Sequence, residues 1–442
     1  MEETLGSQTV STKLERIANI AKQVPARLTA LAHHIDIEWL REAHRRTRKG
    51  GGRGIDDQSA EQYEQDLEEN LKSLLERAKS GSYHAPPVRR VYIPKGDGQQ
   101  RPLGIPTYED KVLQRAVAMM LGAVYEQEFL ECSYGFRPGR SAHQALGALR
   151  DTVMAMKGAW IVEVDIEKFF DTIDHEHLRN VLHQRIGDGV ILRLIGKWLH
   201  AGVMEDGKWK LSDSGTPQGG VISPILANIF LHEVVDTWFE REARPRLKGR
   251  ATLVRFADDI AIAFEQEQDA QRVMGVLPKR FGKFGLTLHP EKTRQIRFQP
   301  PPDVRKDDDE GDGDGTGTFD LLGFTHYWAK SKKGYWVVQV KTAKGRLSRT
   351  LKRLSDWCRR NRHMTVALQW KKLTAKVKGH FEYFRVIGNA KALFVVRVTV
   401  YRIWRQWLNR RSQRARVTWA KMRLLHERYP LPRIPELRSL RA

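Results

Sequence analysis

Apolar residues recur at helical spacing near the start of the chain. Leu14, Ile17, Ile20 and Ala21 share one face, which predicts helical structure over residues 1–50. The run Lys49-Gly-Gly-Gly-Arg-Gly54 interrupts that period and reads as a flexible basic loop. A second helix is expected over residues 58–79. The period then changes to two: Val88-Arg-Arg-Val-Tyr-Ile-Pro94 and Arg101-Pro-Leu-Gly-Ile105 flank the turn Lys95-Gly-Asp-Gly98, the pattern of a hairpin. An amphipathic helix follows over residues 109–130, then a short buried strand, Ile161-Val-Glu-Val-Asp-Ile166, and a helix over residues 225–240. Leu253-Val-Arg-Phe-Ala-Asp-Asp-Ile-Ala-Ile-Ala-Phe264 places two apolar runs around a polar centre, which predicts a tight hairpin. Strands and helices mixed in this way predict an α+β fold.

Residues 303–318 are rich in Pro, Asp and Gly and cannot bury a core, so they are expected to form an acidic flexible loop. Beyond it, residues 319–340 read as short strands and the rest as helices. Leu347, Leu351, Leu354 and Cys358 line one helical face; Arg346, Arg349, Lys352, Arg353, Arg359 and Arg360 line the others. The expected organisation is an N-terminal helical extension (1–60), a central α+β region (61–302), the loop (303–318) and a basic helical region (319–442). No internal repeat is present.

A chain of 442 residues exceeds one compact core and points to two or three domains. No run of eighteen apolar residues exists, so no transmembrane helix is expected. The first ten residues lack a basic start and an apolar core, so no secretory signal is read there. Cys132 and Cys358 alone cannot build a disulfide framework or a four-cysteine zinc site. A cytoplasmic protein is expected. Charge changes the picture more. The chain carries +23, and residues 321–442 hold 31 Lys/Arg against 4 Asp/Glu, a net of +27, while residues 1–320 carry −4. The positive excess is confined to the last quarter of the chain, the footprint of a domain that binds a polyanion such as nucleic acid.

The chemistry centres on Phe256-Ala-Asp-Asp259. Two adjacent acids repel, and partial burial raises the cost; a divalent cation reverses it. Neighbours on a strand point to opposite faces, so a further acid must complete a shared site. Asp165, at the end of an apolar strand, is the candidate. Carboxylates holding two Mg²⁺ ions about 4 Å apart have the geometry for nucleotidyl transfer. Taken alone, an Asp-Asp pair is weak evidence, since most such pairs are solvated turns.

Its context is more specific. In order along the chain stand Tyr92-Ile-Pro-Lys95 with Arg101-Pro-Leu-Gly-Ile-Pro106, Tyr134-Gly-Phe-Arg-Pro138, Asp165-Ile-Glu-Lys-Phe-Phe-Asp171, Gly215-Thr-Pro-Gln-Gly-Gly220 with Ser223-Pro224, Phe256-Ala-Asp-Asp259, Leu288-His-Pro-Glu-Lys292 and Leu322-Gly-Phe324. The series resembles the reverse transcriptases, most closely those encoded by bacterial group II introns. It covers residues 50–330, with a weaker match to about residue 420.

The resemblance implies a right-hand polymerase, with fingers and palm followed by an α-helical thumb or maturase domain. It implies that Asp165, Asp258 and Asp259 are catalytic and hold two Mg²⁺ ions, for which Mn²⁺ can substitute, with the Ile166 carbonyl completing the coordination. Lys95 and Arg101 would contact the incoming deoxynucleoside triphosphate, Phe170 would stack under its sugar, and Gln218 would sit beside the templating pair. Without the resemblance, Phe170 reads equally well as a core aromatic. Lys292 would touch the primer side or pack on the sheet. Arg137 would bind template backbone, with a structural salt bridge as the alternative. Arg346, Arg349, Lys352, Arg353, Lys371 and Lys372 would contact nucleic acid, and Gly379-His-Phe-Glu-Tyr-Phe-Arg385 looks like the maturase signature.

Three features depart from the family pattern. Phe256 stands where Tyr is commoner, Gly54-Ile-Asp-Asp57 lacks a usual final glycine, and residues 307–314 form an atypical acidic insertion. No paired cysteines follow the thumb, so no His-Asn-His endonuclease is expected. The implied partners are RNA template, DNA primer, deoxynucleotides and a group II intron RNA, with no membrane; a homodimer stays open. The implied activity is RNA-directed DNA synthesis with maturase function in splicing and retrohoming. Two alternatives stand beside it: a solitary reverse transcriptase of bacterial defence or repair, and a non-catalytic RNA-binding splicing factor.

Overall fold

A computed structural model describes residues 2–94, 100–205, 208–210, 219–301, 317–412 and 416–440. The first predicted helical stretch is divided into α1 (Glu2–Gln23) and α2 (Ile37–Arg46). Pro25 lies in the break, where its ring cannot continue a helix. Asp36 then starts α2 by accepting a hydrogen bond from the Trp39 amide at 3.0 Å. The second predicted helix is also two: α3 (Ala60–Glu64), opened by a Ser59–Gln62 capping box, and α4 (Leu67–Ser80).

Strands β1 (Val88–Pro94) and β2 (Gln100–Ile105) form the predicted hairpin, with Ile93 opposite Arg101. Its turn lies outside the described residues. Helix α5 (Tyr108–Tyr125) is capped by Thr107 and buries an apolar face that includes Leu113, Val117 and Leu121. It ends five residues before the predicted limit. Then come α6 (Ala142–Met156), β3 (Ala159–Val164), α7 (Phe169–Thr172), α8 (His175–Arg185) and α9 (Gly189–Leu199). Short strands β4 (Val203–Glu205) and β5 (Lys208–Lys210) extend the first hairpin to a sheet of order β2-β1-β4-β5.

Helix α10 (Ser223–Leu231) continues as a wide-turned helical stretch through His232–Thr237 and Phe239–Ala243, so the predicted helix runs three residues further than expected. The predicted second hairpin is β6 (Ala251–Phe256) and β7 (Asp259–Phe264). After α11 (Glu267–Gly282) and β8 (Arg294–Phe298), these strands make a sheet of order β6-β7-β3-β8. Leu253, Val254, Ile260, Ile262, Ile161 and Val162 are buried in it.

The basic region begins with β9 (Phe319–Leu321), β10 (Phe324–Lys330) and β11 (Trp336–Thr342), ordered β11-β10-β9. Helices α12 (Lys344–Arg360), α13 (Val366–Phe384), α14 (Ala390–Leu408) and α15 (Trp419–Arg428) follow. In α12, Leu354 and Cys358 are buried, Leu347 and Leu351 half-buried, and the six predicted Lys/Arg positions exposed. Most of the acidic loop, residues 302–316, lies outside the described residues.

The fold is α+β, as predicted. It comprises two compact units: residues 1–141, 162–262 and 268–294 form the first, and residues 142–161, 263–267 and 295–442 the second. The N-terminal helices belong to the first unit. Among the described residues, no helix is long and apolar enough to cross a membrane.

Candidate active site

The turn between β6 and β7 is built before it is charged. Ala257 adopts φ 56°, a left-handed conformation that costs a residue with a Cβ about 1 kcal/mol or more and persists only where neighbours impose it. Two neighbours do so. Gly135 packs so closely that a Cβ on it would lie 2.3 Å from the Ala257 nitrogen. From below, Arg255 donates to the Ala257 carbonyl at 3.2 Å.

Arg255 is fully buried, and its remaining donors are all used. Nε and Nη2 reach the two carboxylate oxygens of Asp236 at 2.7 and 2.6 Å. Nη1 reaches Asn228 at 3.0 Å, and Nη2 reaches Ser133 at 2.8 Å. Asn228 in turn donates to the Gly135 carbonyl at 2.7 Å. The segment around Tyr134-Gly-Phe-Arg-Pro138 is thereby laced to the acidic hairpin, with the Tyr134 amide also donating to the Arg255 carbonyl at 2.8 Å. Arg255, Asp236 and Asn228 were missed by sequence reasoning. A signal existed: an arginine inside the apolar run Leu253-Val-Arg-Phe requires a buried partner.

Asp165 stands just beyond β3. Its carbonyl accepts from the His289 amide at 2.8 Å, and its amide donates to the Thr293 hydroxyl at 3.3 Å. Ile166 faces Leu288 in an isolated antiparallel bridge. The flanking bonds, His289 N to Asp165 O and Glu167 N to Thr287 O, make this a non-hydrogen-bonded pair. The Ile166 carbonyl therefore points away from residues 287–289. In the sheet order that is the side of β7, where Asp259 begins the strand.

The Asp165 charge reaches both Asp258 and Asp259. Burial raises the Asp258 pKa above its ordinary value, and the Asp165 charge adds to this while Arg101 opposes it. Asp259 keeps solvent access, yet the surrounding protein displaces enough water that its pKa is pushed up to about 6, with Asp258 and Asp165 contributing. Among the described residues, no three or more such side chains are already gathered tightly enough to cage an ion. The donors are oxygens only: three carboxylates and a carbonyl. That set suits a hard divalent cation held by a few carboxylates, water and substrate phosphates. A bound cation would also relieve the repulsion that lifts Asp259. The residues present fit divalent metal ions.

The other expected residues divide. Arg101, exposed on β2, lies near enough for its charge to reach both Asp258 and Asp259. Phe170 is half-buried and meets Phe169 edge to face at 5.2 Å. Phe169 is the ring that fills the core, at 3% exposure, which leaves Phe170 with an open face. Lys292 Nζ lies 3.8 Å from Asp165 Oδ2, and both side chains are open to solvent. Arg137 differs from the template-backbone expectation. It is buried, pairs with Glu126 at 2.7 Å, donates to the Leu130 and Ser133 carbonyls at 2.7 and 2.8 Å, and lies over Phe129. Its donors serve the fold, which is the salt-bridge alternative.

Lys95 and Gln218 lie outside the described residues. The segment that follows Gln218 is nonetheless held firmly. Gly219, at φ 116°, packs on the Gly104 carbonyl of β2, and buried Gln114 accepts from the Val221 and Ile222 amides at 2.8 and 3.3 Å. In the second unit, Arg346, Arg349, Lys352, Arg353, Lys371 and Lys372 are all exposed. Of the segment resembling the maturase signature, His380, Phe381 and Phe384 are buried in α13.

Comparison with known proteins identifies the family. Residues 93–326 match the family described as "Reverse transcriptase (RNA-dependent DNA polymerase)". Protein YkfC of Escherichia coli is 34% identical over 295 residues, 58% of this chain and 76% of that protein. The group II intron-encoded protein LtrA of Lactococcus lactis is 38% identical over 246 residues, 53% of this chain and only 40% of that protein. Nuclear intron maturase 1 of Arabidopsis thaliana is 29% identical over 90 residues, 20% of this chain and 12% of that protein. The match spans more than half the chain and encloses all three acids, so the chain belongs to the reverse transcriptase family, and its α+β fold is that of a right-hand polymerase followed by a helical domain.

Proposed function

We propose that this protein copies RNA into DNA and serves a group II intron as its maturase, binding intron RNA to aid splicing and retrohoming. The observation that carries the enzymatic half is that the Asp165 charge reaches both Asp258 and Asp259 at the β6–β7 turn. Asp165, Asp258, Asp259 and the Ile166 carbonyl would hold two Mg²⁺ ions, with Mn²⁺ as a substitute. Such ions activate the attacking hydroxyl and neutralise the leaving pyrophosphate. Arg101, with Lys95, would place its guanidinium on the incoming triphosphate, matching its planar fork to phosphate oxygens. The open face of Phe170 would carry the deoxyribose, and Gln218 would lie against the templating pair. The exposed Lys/Arg positions of α12 and α13 would contact nucleic acid backbone. Intron RNA as the bound partner is supported by the likeness to LtrA and to the plant maturase.

The test is primer extension on polyriboadenylate with an oligothymidylate primer and Mg²⁺, comparing wild type with Asp258→Ala. Synthesis by wild type alone supports the polymerase. Silence from both proteins, with RNA binding retained, leaves an RNA-binding splicing factor as the better description. Binding of wild type to a structured intron RNA over a scrambled RNA tests the maturase half.

A further inference from the structure

Helix α5 carries two buried polar side chains, Asp110 and Gln114, one turn apart on the same face. A buried carboxylate is destabilising unless donors hold it. Asp110 has three. Trp198 Nε1 donates to Oδ1 at 2.7 Å, the Tyr83 hydroxyl donates to the same oxygen, and Gln114 Nε2 donates to Oδ2 at 3.0 Å. Burial still pushes the Asp110 pKa up to about 6. The bond to Asp110 decides which way the Gln114 amide faces. With Nε2 committed, Oε1 is left to accept, and it takes the Val221 and Ile222 amides at 2.8 and 3.3 Å. Turned end for end, the amide would aim N–H at N–H on both sides.

This hold closes a ring through the first unit. Strand β2 runs into α5 through Pro106 and Thr107 alone. Gln114 of α5 grips Val221, and two residues back Gly219 lies on the Gly104 carbonyl of β2, where a Cβ would come within 2.8 Å. β2 is the end strand of its sheet, paired with β1 and no other strand among the described residues. It also carries Arg101, whose charge reaches Asp258 and Asp259. Past Ile222, which offers no side-chain cap of its own, the chain enters α10. There Asn228 bonds to the Gly135 carbonyl and to Arg255, the two supports of the acidic turn. The strand with the arginine and the brace beneath the acids are thus tied to each other through one glutamine.

We propose that Gln114 and Asp110 are positioning residues for the incoming deoxynucleoside triphosphate: by seating Gly219–Ile222 against β2, they set where Arg101 stands relative to the acidic turn. The proposal rests on the polymerase reading above, in which Arg101 meets the triphosphate. Neither residue touches the nucleotide. Asp110 acts one step further back than Gln114, since its part is to hold the amide the right way round. Small displacements of a group that positions substrate are felt strongly in the reaction. The network therefore acts on nucleotide affinity through Arg101.

The test is the steady-state kinetics of single-nucleotide addition to a DNA primer on an RNA template, with KM for the nucleotide and kcat read separately. Asp110→Asn is isosteric but sets an N–H against the Gln114 N–H. Adding Gln114→Glu restores an acceptor there and keeps another facing Val221 and Ile222. Gly219→Ala strains the same joint from outside the network. Expected is a KM about tenfold higher in Asp110→Asn and in Gly219→Ala, with kcat within about twofold of wild type. The double variant Asp110→Asn with Gln114→Glu should return to the wild-type KM. In an Arg101→Ala background, Asp110→Asn should raise KM no further. A lower kcat at unchanged KM, a double variant no better than Asp110→Asn, or an undiminished effect in the Arg101→Ala background overturns the proposal. Gly219 is exposed, so its variant reports even where Asp110→Asn fails to fold. Failure of the polymerase reading is distinct: wild type would then extend no primer.

Discussion

Arg255 grips Asp236 with two parallel hydrogen bonds of 2.7 and 2.6 Å, both side chains fully shielded from water, directly beneath the turn that carries Asp258 and Asp259. A paired buried charge is tolerable; an orphaned one is not. Arg255→Ala or Asp236→Ala should each cost about 3–5 kcal/mol in denaturant unfolding. The double variant should cost clearly less than their sum, because neither charge is then left alone. Additive costs would mean that the two side chains do not act as a pair.

Gly135→Ala should damage the same turn from the other side. Its Cβ would meet Ala257 main chain at 2.3 Å, so the hairpin must shift. We expect a loss of about 1–3 kcal/mol with a collapse of primer extension. Gly275→Ala, on an exposed face of α11 with nothing within 4 Å, is the matched control. It should gain about 0.5–1 kcal/mol and keep activity. Equal behaviour of the two variants would sink the close-packing argument.

His326 should make the second unit acid-sensitive. It is fully buried and stacked on Phe319 at 4.4 Å. Burial pushes its pKa down to about 4 from the ordinary 6.5. Between those values the unfolded chain binds the extra proton. Stability is therefore complete above about pH 6.5 and falls as pH drops toward 4, by on the order of 3 kcal/mol. Hydrogen exchange of β10 and β11 between pH 7 and 5 reads this directly. His326→Leu should flatten the acid limb; an unchanged limb would assign it to other groups.

The exposed cations of α12 should act through counterion release. Replacing Arg346, Arg349, Lys352 and Arg353 with Ala should weaken binding to any duplex sequence alike. Each lost phosphate contact should reduce the slope of log affinity against log salt by about 0.9. A change in sequence preference without a change in slope would contradict a backbone-binding face.

The strands and hairpins were legible because alternation and turn residues are local. Both the Val88–Pro94 hairpin and the apolar runs around Asp258 and Asp259 formed where the pattern placed them. The three acids were legible because few other roles explain them in that order. Helix boundaries were less so. Pro25 and the turn at residues 65–66 divide what periodicity joins, since apolar spacing survives a break that the backbone does not. The supports of the site were not legible. Arg255 and Asp236 lie nineteen residues apart on different elements, and Gln114 reaches Val221 across 107 residues. Arg137 shows the converse: a motif arginine that looks outward in sequence can be spent entirely on local carbonyls and one carboxylate.

The hold of Thr293 on Asp165 spans 128 residues of chain. A ribosome that has made the first acid, and even the Asp258–Asp259 turn, has not yet supplied the residue that fixes the first in place. Contacts of such sequence separation form late and slowly. The growing polypeptide therefore lacks this anchor for Asp165 until translation has passed residue 293. Completion of the palm, rather than appearance of its acids, is what supplies the hold on Asp165.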